Sequence, residues 1–219
     1  MSPVLITGVN RGLGLQLCRL AAKRSIPIIV SSRRGQETEQ LLAKEKIPFQ
    51  SHVNIDFGAE GPDKIYGKVH ALGTLAGVIH SSSPYTQQGV RDSKTEDFQM
   101  YGNFVCNTLA LSKAAAEQVE PGGKAIYVGA IVGQLGRIRY TPFSVYKLSL
   151  RGLVEGLNKE GLSATYINLG SVRTDPEAKA SPCKYLSETY VAGKFLDALE
   201  ADSAGEQLDL FSREDLHSF

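Results

Sequence analysis

The sequence predicts an α/β fold in which a doubly wound, mostly parallel sheet carries helices on both faces, giving three layers. Two observations carry this prediction. Short apolar, β-branched segments alternate with amphipathic segments of helical spacing, which favours parallel strands joined by right-handed helical crossovers. In addition, a glycine-rich loop separates the first strand from the first helix, as in dinucleotide-binding units. We therefore expect one domain of the Rossmann type over residues 1–219.

The first strand and the loop that follows it define the predicted cofactor site. Val4–Ile6 is a short apolar strand, and the run T-G-V-N-R-G-L-G at positions 7–14 leads into an amphipathic helix. Glycines at such a turn let the backbone approach a pyrophosphate, with the helix N–H groups aimed at the phosphates. We assign cofactor binding in this loop to Gly8, Asn10, Arg11, Gly12, Leu13 and Gly14.

The end of the second strand indicates which cofactor binds. Ile28–Val30 is the predicted strand, and it runs into S-S-R-R-G at positions 31–35. In a doubly wound sheet this end faces the adenosine ribose, where an acidic residue favours an unphosphorylated ribose. Arg33 and Arg34 stand there instead and suit a 2′-phosphate, which indicates NADP(H). The alternative interpretation is that both arginines only solvate a loop.

The remaining predicted elements continue the alternation. We predict strands at Gln50–Ile55, Leu75–Ile79, Ala125–Val128, Ala164–Asn168 and Gln207–Phe211. We predict helices at Gln36–Lys46, Ala59–Leu72, Thr95–Val119, Phe143–Lys159 and Glu188–Leu199. Pro121-Gly122-Gly123 is expected to stop the long helix, and a glycine-rich loop is expected over Gly129–Gly136.

Composition restricts the class of protein and its partners. The chain is 42% hydrophobic with a formal net charge of +1, so no broad electrostatic field favours nucleic acid or an anionic membrane. No stretch reaches transmembrane length. The three cysteines lack C-x-x-C spacing, which indicates reduced thiols, a cytoplasmic location and no metal site. We expect a small-molecule substrate as the partner.

Three runs of residues together carry a resemblance to a known family. The loop at 7–14 matches T-G-x-x-x-G-x-G, Asp56-Phe57 follows the third strand, and N-L-G-S-V-R-T-D at 168–175 resembles N-P-G-x-V-x-T. The chain thus resembles the short-chain dehydrogenase/reductase family over nearly its whole length. The resemblance implies that Asp56 and Phe57 contact the adenine and that Thr174 reaches the nicotinamide end. It also places Ser81 at the cofactor, in the run H-S-S-S that stands where the family has N-N-A-G.

The same resemblance implies an altered catalytic centre. The family uses a Ser, a Tyr that protonates the alkoxide, and a Lys that lowers the Tyr pKa and holds the nicotinamide ribose, with Y-x-x-x-K spacing. If Tyr146 is the acid, the position four residues on is Leu150, which carries no charge. If Lys147 is the lysine, Phe143 occupies the Tyr position and Ala130 the Ser position, with no insertion. We favour the second register.

Four residues remain as catalytic candidates: Lys147, Asn103, Tyr146 and His80. Asn103 is the candidate for the family's supporting helical Asn, or else an ordinary helix residue. His80 is expected at the mouth of the site, where a histidine donates protons near neutral pH, or else it only caps its strand. Tyr146, one turn after Phe143, either faces the same cleft or packs in the core.

We therefore expect an enzyme that binds NADP(H) and a small, largely apolar molecule. It either reduces that molecule with an unconventional proton donor or carries out a non-redox step such as isomerisation, elimination or cyclisation. The alternatives are a catalytically retired cofactor-binding sensor or scaffold, and an ordinary NADPH-dependent carbonyl reductase that uses Tyr146. The resemblance also implies a homodimer or homotetramer through the helices Thr95–Val119 and Phe143–Lys159, where Gly152 and Gly156 permit close approach.

Overall fold

Strands and helices alternate along the chain in the computed structural model, which describes residues 1–135, 139–170, 172–173, 186–201 and 207–211. The strands are β1 (Val4–Thr7), β2 (Ile28–Ser32), β3 (Ser51–Asn54), β4 (Leu75–His80), β5 (Val119–Val128), β6 (Ala164–Leu169), β7 (Val172–Arg173), β8 (Leu186–Ser187) and β9 (Gln207–Leu210). The helices are α1 (Gly12–Lys23), α2 (Gly35–Lys44), α3 (Pro62–His70), α4 (Thr95–Gln118), α5 (Ile131–Leu135), α6 (Thr141–Lys159) and α7 (Glu188–Glu200).

The strands of the main sheet all run parallel. Within the described residues their order is β3-β2-β1-β4-β5-β6-β9, and β7 pairs with β8 in a separate ladder. The order reverses between β1 and β4, where Thr7 lies opposite His80 at the carboxyl ends of the two strands. Doubly wound sheets bind their ligands in the crevice outside such a reversal. The predicted fold class is confirmed.

Successive residues of the central strands supply two separate cores. Leu5 and Val78 belong to the cluster that packs against α3, α4 and α6, whereas Ile6 and Ile79 belong to the cluster against α1, α2 and α7. Because neighbouring side chains of a strand point to opposite faces, a strand buried on both faces is apolar throughout. This explains why β1 and β4 show no polar alternation in the sequence, and it produces the three predicted layers.

Two helices begin at or next to a proline and not where the apolar pattern begins. Helix α3 was expected from Ala59 but begins at Pro62, and α6 was expected from Phe143 but begins at Thr141, with Pro142 in its first turn. Proline suits the first turn because its fixed φ fits a helix and its missing N–H has no partner there in any case. Among the described residues, no helix has both the length and the apolarity needed to cross a bilayer.

Strand β5 is longer than the sequence indicates. It begins at Val119 and runs through Pro121 to Gly123, which were expected to form only a break. The register against β4 shifts between Leu75 and Gly77, so the strand reaches its partner by an irregular pairing. A Cβ on Gly123 would lie 2.4 Å from the carbonyl oxygen of Ala76, so glycine lets the two backbones approach. Part of the loop expected after β5 forms the short helix α5.

Candidate active site

The loop between β1 and α1 has the backbone geometry of a phosphate cradle. Gly8 and Gly12 have φ values of 75° and 56°, which glycine adopts without steric penalty. A Cβ on Gly14 would lie 2.2 Å from the carbonyl oxygen of Gly8, and a Cβ on Gly8 would lie 2.9 Å from the amide nitrogen of Ser82. The loop therefore has no room for side chains at these positions, and its bare backbone fits the close approach of a pyrophosphate.

The first turn of α1 follows this loop directly. Its backbone amide groups donate no hydrogen bond to the side chain of the N-cap residue. Arg11 precedes the helix in an extended conformation, is exposed, and makes no capping hydrogen bond within the described chain. Asn10 and Leu13 are half-buried beside it. At the adjacent end of β2, the buried hydroxyl of Ser31 has no hydrogen-bond partner among the described residues. The helix N-terminus is a group that a phosphate ligand can satisfy, whereas the Ser31 hydroxyl is buried out of solvent.

Ser81 and Ser82 hold the end of β4 against the cradle. The Ser81 hydroxyl donates a hydrogen bond to the carbonyl oxygen of Thr7. The Ser82 amide donates to the Thr7 hydroxyl, with an N···Oγ1 distance of 3.3 Å. The predicted position of Ser81 beside the cofactor loop therefore agrees with its contacts, although its hydroxyl hydrogen is already engaged by the backbone.

The two arginines after β2 lie at the exposed edge of the cradle. Arg34 forms an ion pair with Glu37 at 3.2 Å, and both of these side chains are more than half exposed. Such a surface pair contributes little to stability, so it does not prevent the guanidinium group from turning to a ligand. Arg33 is also exposed. Both arginines are therefore accessible from solvent on the side where β2 ends.

Asp56 and Phe57, which the resemblance assigns to adenine binding, lie in different environments. Asp56 is half-buried and its Oδ1 accepts a hydrogen bond of 2.9 Å from the amide of Gly58. Phe57 is buried, with its ring packed edge-on against His80 at a centroid distance of 4.8 Å. The Phe57 side chain therefore belongs to the core, and only its backbone is left for contact with a cofactor. Thr174 lies outside the described residues.

Lys147 is buried in the middle of α6, close to the carboxyl end of β5. Its Nζ donates a hydrogen bond of 2.7 Å to the carbonyl oxygen of Val128. The same nitrogen lies 5.4 Å from the ring centroid of Phe143 and 5.3 Å from that of Tyr146. Burial disfavours the charged ammonium and lowers the Lys147 pKa to about 7. Lys147 therefore changes charge near neutral pH.

Phe143 and Ala130 present no hydroxyl group to the space beside Lys147. Phe143 is buried and lies one helical turn before the lysine, on the same side of α6. Ala130 is half-buried just before α5. Its amide donates to the Tyr166 hydroxyl at 3.3 Å, and that hydroxyl donates in turn to the carbonyl oxygen of Lys147 at 3.2 Å. The ring of Tyr166 fills the space above Gly129, where a Cβ would lie 2.2 Å from Tyr166 Cζ.

Aromatic side chains surround Phe143 on its outer side. The ring of Tyr85 packs edge-on against Phe143 at 5.6 Å, and that of Tyr140 at 6.5 Å. The side-chain amide of Gln87 donates to both phenol oxygens, at 2.9 Å to Tyr85 and 2.7 Å to Tyr140. The sequence interpretation did not include Tyr85 or Gln87, because they lie in an irregular loop that has no periodic pattern.

His80 lies inside the fold and not at the mouth of the site. Its Nδ1 is 3.0 Å from the Thr7 hydroxyl, and its Nε2 is 3.2 Å from the hydroxyls of Tyr146 and Thr108. Burial, together with the nearby charge of Lys147, lowers the His80 pKa to about 3. The histidine is therefore neutral at physiological pH, and the expectation of a proton donor exposed to the cleft is corrected.

Tyr146 is also fully buried, so that it packs and does not face a cleft. Its hydroxyl donates to the carbonyl oxygen of Ser82 at 3.3 Å. Burial raises the pKa of this phenol well above its ordinary value. The phenol therefore links α6 to the end of β4, and it belongs to the same buried cluster as His80.

Asn103 contacts the loop after β3. Its amide donates a hydrogen bond of 2.8 Å to the carbonyl oxygen of Gly58, in the loop after β3. One turn further along α4, the buried amide of Asn107 donates to the carbonyl oxygens of Phe57 and Glu60, at 2.9 and 2.7 Å. Both asparagines therefore fasten α4 to this loop. The spacing of four residues between them was the signal that could have identified Asn107.

Comparison with known proteins identifies the family. Residues 2–183 match the family model described as short chain dehydrogenase. A 3-oxoacyl-[acyl-carrier-protein] reductase of Mus musculus is 24% identical over 212 residues, which cover 91% of this chain and 87% of that protein.

Solved structures of other proteins share this fold. The MalC reductase/Diels-Alderase of Malbranchea aurantiaca superposes with a TM-score of 0.86 at 14% identity, covering 99% of this chain and 95% of that one. A short chain dehydrogenase of Burkholderia cenocepacia J2315, solved with NADP, superposes with a TM-score of 0.82 at 19% sequence identity. The match covers 96% of each chain. The resemblance seen in the sequence motifs is confirmed: this chain belongs to the short-chain dehydrogenase/reductase family, whose members bind a nicotinamide cofactor and act on small molecules.

Proposed function

We propose that the protein is an NADP(H)-binding enzyme that acts on a small, largely apolar molecule without the hydroxyl pair that the family uses for carbonyl reduction. The observation that carries this proposal is the position of the Phe143 ring, whose centroid lies 5.4 Å from Nζ of the buried Lys147. A buried lysine at the carboxyl end of a strand, with its pKa lowered by desolvation, is a functional-site candidate. The group one turn before it can neither donate nor accept a proton.

The residues that would hold the cofactor are spread over the ends of three strands. The cradle at positions 8–14 and Ser81 would hold the pyrophosphate, Arg33 and Arg34 the 2′-phosphate, and Asp56 with the backbone of Phe57 the adenine. Lys147 would hold the nicotinamide ribose, and Thr174 is proposed to reach the nicotinamide. When bound, NADPH supplies a hydride. Arginine pairs well with phosphate because its planar fork donates two parallel hydrogen bonds, which supports NADP(H) over NAD(H).

The missing hydroxyls restrict the chemistry that the pocket performs. Loss of one preorganised donor to a developing oxyanion lowers the rate by about 10²–10³, and loss of a general acid by about 10²–10⁴. Reduction of an activated C=C or iminium bond depends less on such groups than reduction of a ketone. A non-redox isomerisation, elimination or cyclisation does not depend on them. We therefore propose one of these reactions, with Lys147 holding or releasing a proton at Nζ.

Two alternatives are less well supported. An ordinary carbonyl reductase would need Tyr146 as the acid, but this phenol is buried and its hydrogen bond to the carbonyl oxygen of Ser82 directs its proton away from solvent. A retired sensor or scaffold would have no use for a desolvated lysine, whose burial destabilises the folded state. Both alternatives share the cofactor cradle, so cofactor binding does not separate them from the proposal.

The decisive experiment restores the missing groups with the double variant Phe143→Tyr, Ala130→Ser. The new phenol would lie four residues before Lys147, on the same helix face, where the positive charge favours its ionisation. We expect the wild type to reduce simple ketones with NADPH barely above background. The double variant should be faster by about a hundredfold.

The control is Tyr146→Phe in the wild-type background, which should leave this background rate unchanged. If the wild type reduces ketones strongly and Tyr146→Phe abolishes this activity, the protein is an ordinary carbonyl reductase that uses Tyr146. NADPH binding without turnover of any activated alkene or imine, before or after the restoration, would favour the sensor.

The homodimer or homotetramer is also part of the proposal. Helices α4 and α6 expose large apolar side chains on their outer faces, namely Leu109 on α4 and Val145 and Leu148 on α6. A Cβ on Gly152 or Gly156 would meet no atom within 4 Å among the described residues, so that side of α6 is open. Exposed apolar residues on two neighbouring helices support their use as a contact between copies of the chain.

A further inference from the structure

A buried polar chain lies beneath the loop that carries Arg33 and Arg34. The Ser32 hydroxyl at the end of β2 is 2.8 Å from the Thr38 hydroxyl and 2.9 Å from Nε2 of His52 on β3. The other ring nitrogen of His52, Nδ1, is 3.6 Å from the carboxylate of Glu39 on α2. The His52 side chain is only 4% exposed. The imidazole therefore connects the arginine loop to a carboxylate on the helix that follows it.

The His52 ring also packs under the first turn of α2. A Cβ on Gly35 would lie 3.4 Å from Cε1 of the ring, so the ring is in contact with the residue that begins the helix. Arg34, which precedes the helix, makes no side-chain capping hydrogen bond within the described residues. The uncapped amide groups of α2 and the two exposed arginines make this end of β2 attractive to an anion. His52 lies directly below that position.

The tautomer of the neutral ring follows from its two neighbours. The carboxylate of Glu39 favours a proton on Nδ1, so Nε2 is left as the acceptor for the Ser32 hydroxyl. In this state the hydroxyl hydrogen of Ser32 points inward, and the ring adds no charge. When Nε2 takes up a proton from solvent, it becomes the donor to Ser32 Oγ. The site then gains one positive charge, and the hydroxyl hydrogen of Ser32 is released from the ring.

We propose that His52 is a proton-coupled specificity residue that takes up a proton when a 2′-phosphate binds at the end of β2. This inference rests on the proposed function, because it requires NADP(H) as the ligand. A phosphate monoester carries about −1.5 to −2 charge at pH 7, which a dinucleotide without the 2′-phosphate lacks. The negative charge of the phosphate stabilises the protonated form of the His52 ring beneath it. By linkage, protonation of the ring strengthens binding of the phosphate.

The charges around His52 fit this role. Burial lowers the His52 pKa below its ordinary value, while the facing carboxylate of Glu39 opposes that shift. On the β2 side the ring meets the uncharged Ser32, and at the start of α2 it meets Gly35, which has no side chain. Among the described residues Glu39 is the charged group that faces the ring. The ring is therefore neutral at neutral pH in the absence of ligand, and it has a proton to gain.

Equilibrium titrations of NADPH and NADH between about pH 6 and 8 test this coupling. The proteins are the wild type, His52→Gln, whose amide keeps a donor to Ser32 without titrating, and His70→Gln as a control at an exposed histidine on α3. A coupling of one pKa unit corresponds to a tenfold change in affinity. We expect the wild type to gain about threefold to tenfold more NADPH affinity than His52→Gln as the pH falls across this range.

The 2′-phosphate itself titrates near pH 6, but it does so equally in all three proteins, so the difference between them reports on His52. NADH affinity should show no such difference, and His70→Gln should follow the wild type. Equal pH dependence of NADPH binding in the wild type and His52→Gln would overturn the inference while leaving the proposed cofactor in place. Failure of all three folded proteins to bind NADPH would instead overturn the proposed function.

A second measurement avoids reliance on the variant. The Cε1 proton of His52, followed by NMR against pH, should move to a higher pKa in the presence of adenosine 2′-phosphate. Adenosine 5′-phosphate at the same concentration should leave it unchanged. An identical His52 titration with both nucleotides would refute the coupling even if His52→Gln weakens NADPH binding through a change in folding.

Discussion

The phosphate cradle and the cluster of side chains around Lys147 both lie near the carboxyl ends of the central strands, but different parts of the chain determine their shapes. In the cradle the backbone makes the site, and Gly8 and Gly14 are required because any side chain would collide with main-chain atoms. Around Lys147 the side chains make the site, and under the proposed function Phe143 and Ala130 stand where the family has its Tyr and Ser hydroxyls. The comparison teaches that a site made by the backbone is fixed by the fold, whereas a site made by side chains can change through single substitutions.

The largest effect should come from adding one methyl group to the cradle. In Gly14→Ala the new Cβ would lie 2.2 Å from the carbonyl oxygen of Gly8, so the loop or α1 must move. We expect a loss of about 3 kcal/mol in the free energy of unfolding, measured with urea, and loss of detectable NADPH binding. The control is Gly67→Ala on the exposed face of α3, where the structure leaves space and alanine should stabilise the helix by up to about 1 kcal/mol. Unchanged stability and NADPH binding in Gly14→Ala would contradict the claim that the backbone alone shapes the cradle.

The second prediction tests the buried histidine that lies between the two regions. The His80 pKa falls from 6.5 to about 3 on folding, so the unfolded chain binds a proton between these pH values and the folded chain does not. Stability should therefore fall as the pH falls, by about 2–3 kcal/mol between about pH 6.5 and 4.5. His80→Asn should remove this contribution, and His70→Asn at an exposed site should not. Acid unfolding curves of the three proteins measure the slopes, and equal slopes for the wild type and His80→Asn would contradict the burial of His80.

The third prediction has the same sign in a higher pH range and concerns Lys147. Its pKa falls from 10.5 to about 7 on folding, so above pH 7 the unfolded chain holds more protons and stability rises with pH. We expect the wild type to gain about 1–2 kcal/mol relative to Lys147→Met between about pH 7 and 8.5. The variant should also bind NADPH more weakly. A difference between the two proteins that does not vary with pH would mean that Lys147 keeps an ordinary pKa.

The smallest effect on the stability of the single chain is expected at the outer face of α4 and α6. Leu109→Glu with Leu148→Glu changes two exposed side chains that are 50% and 47% accessible, so the fold should persist. Light scattering at micromolar concentration should report a dimer or tetramer for the wild type and a monomer for the variant. This measurement shows whether α6 contacts a second copy of the chain on its outer face in addition to the residues around Lys147 on its inner face. A wild-type monomer would remove the proposed assembly.

The central strands and the glycine-rich loop could be predicted from the sequence, because both depend on local patterns. Apolar strands buried on two faces, and glycines at a tight turn, leave signals within ten residues of chain. Local patterns did not predict that His80 is buried. A polar residue at the end of a strand can lie either in a cleft or in the core. Only the packing of Thr7, Thr108 and Tyr146 around the ring decides between them. The polar chain around His52 was missed for a similar reason, since its members come from three separate elements, β2, α2 and β3.

Gly129 and Tyr166 place a limit on how this site can evolve. The Tyr166 ring occupies the volume that any side chain at 129 would need, and its hydroxyl joins the amide of Ala130 to the carbonyl oxygen of Lys147. A larger residue at 129 is tolerated only after position 166 has become smaller, and that first step breaks the link to Lys147. The two positions are therefore epistatic, with an order of substitution that matters.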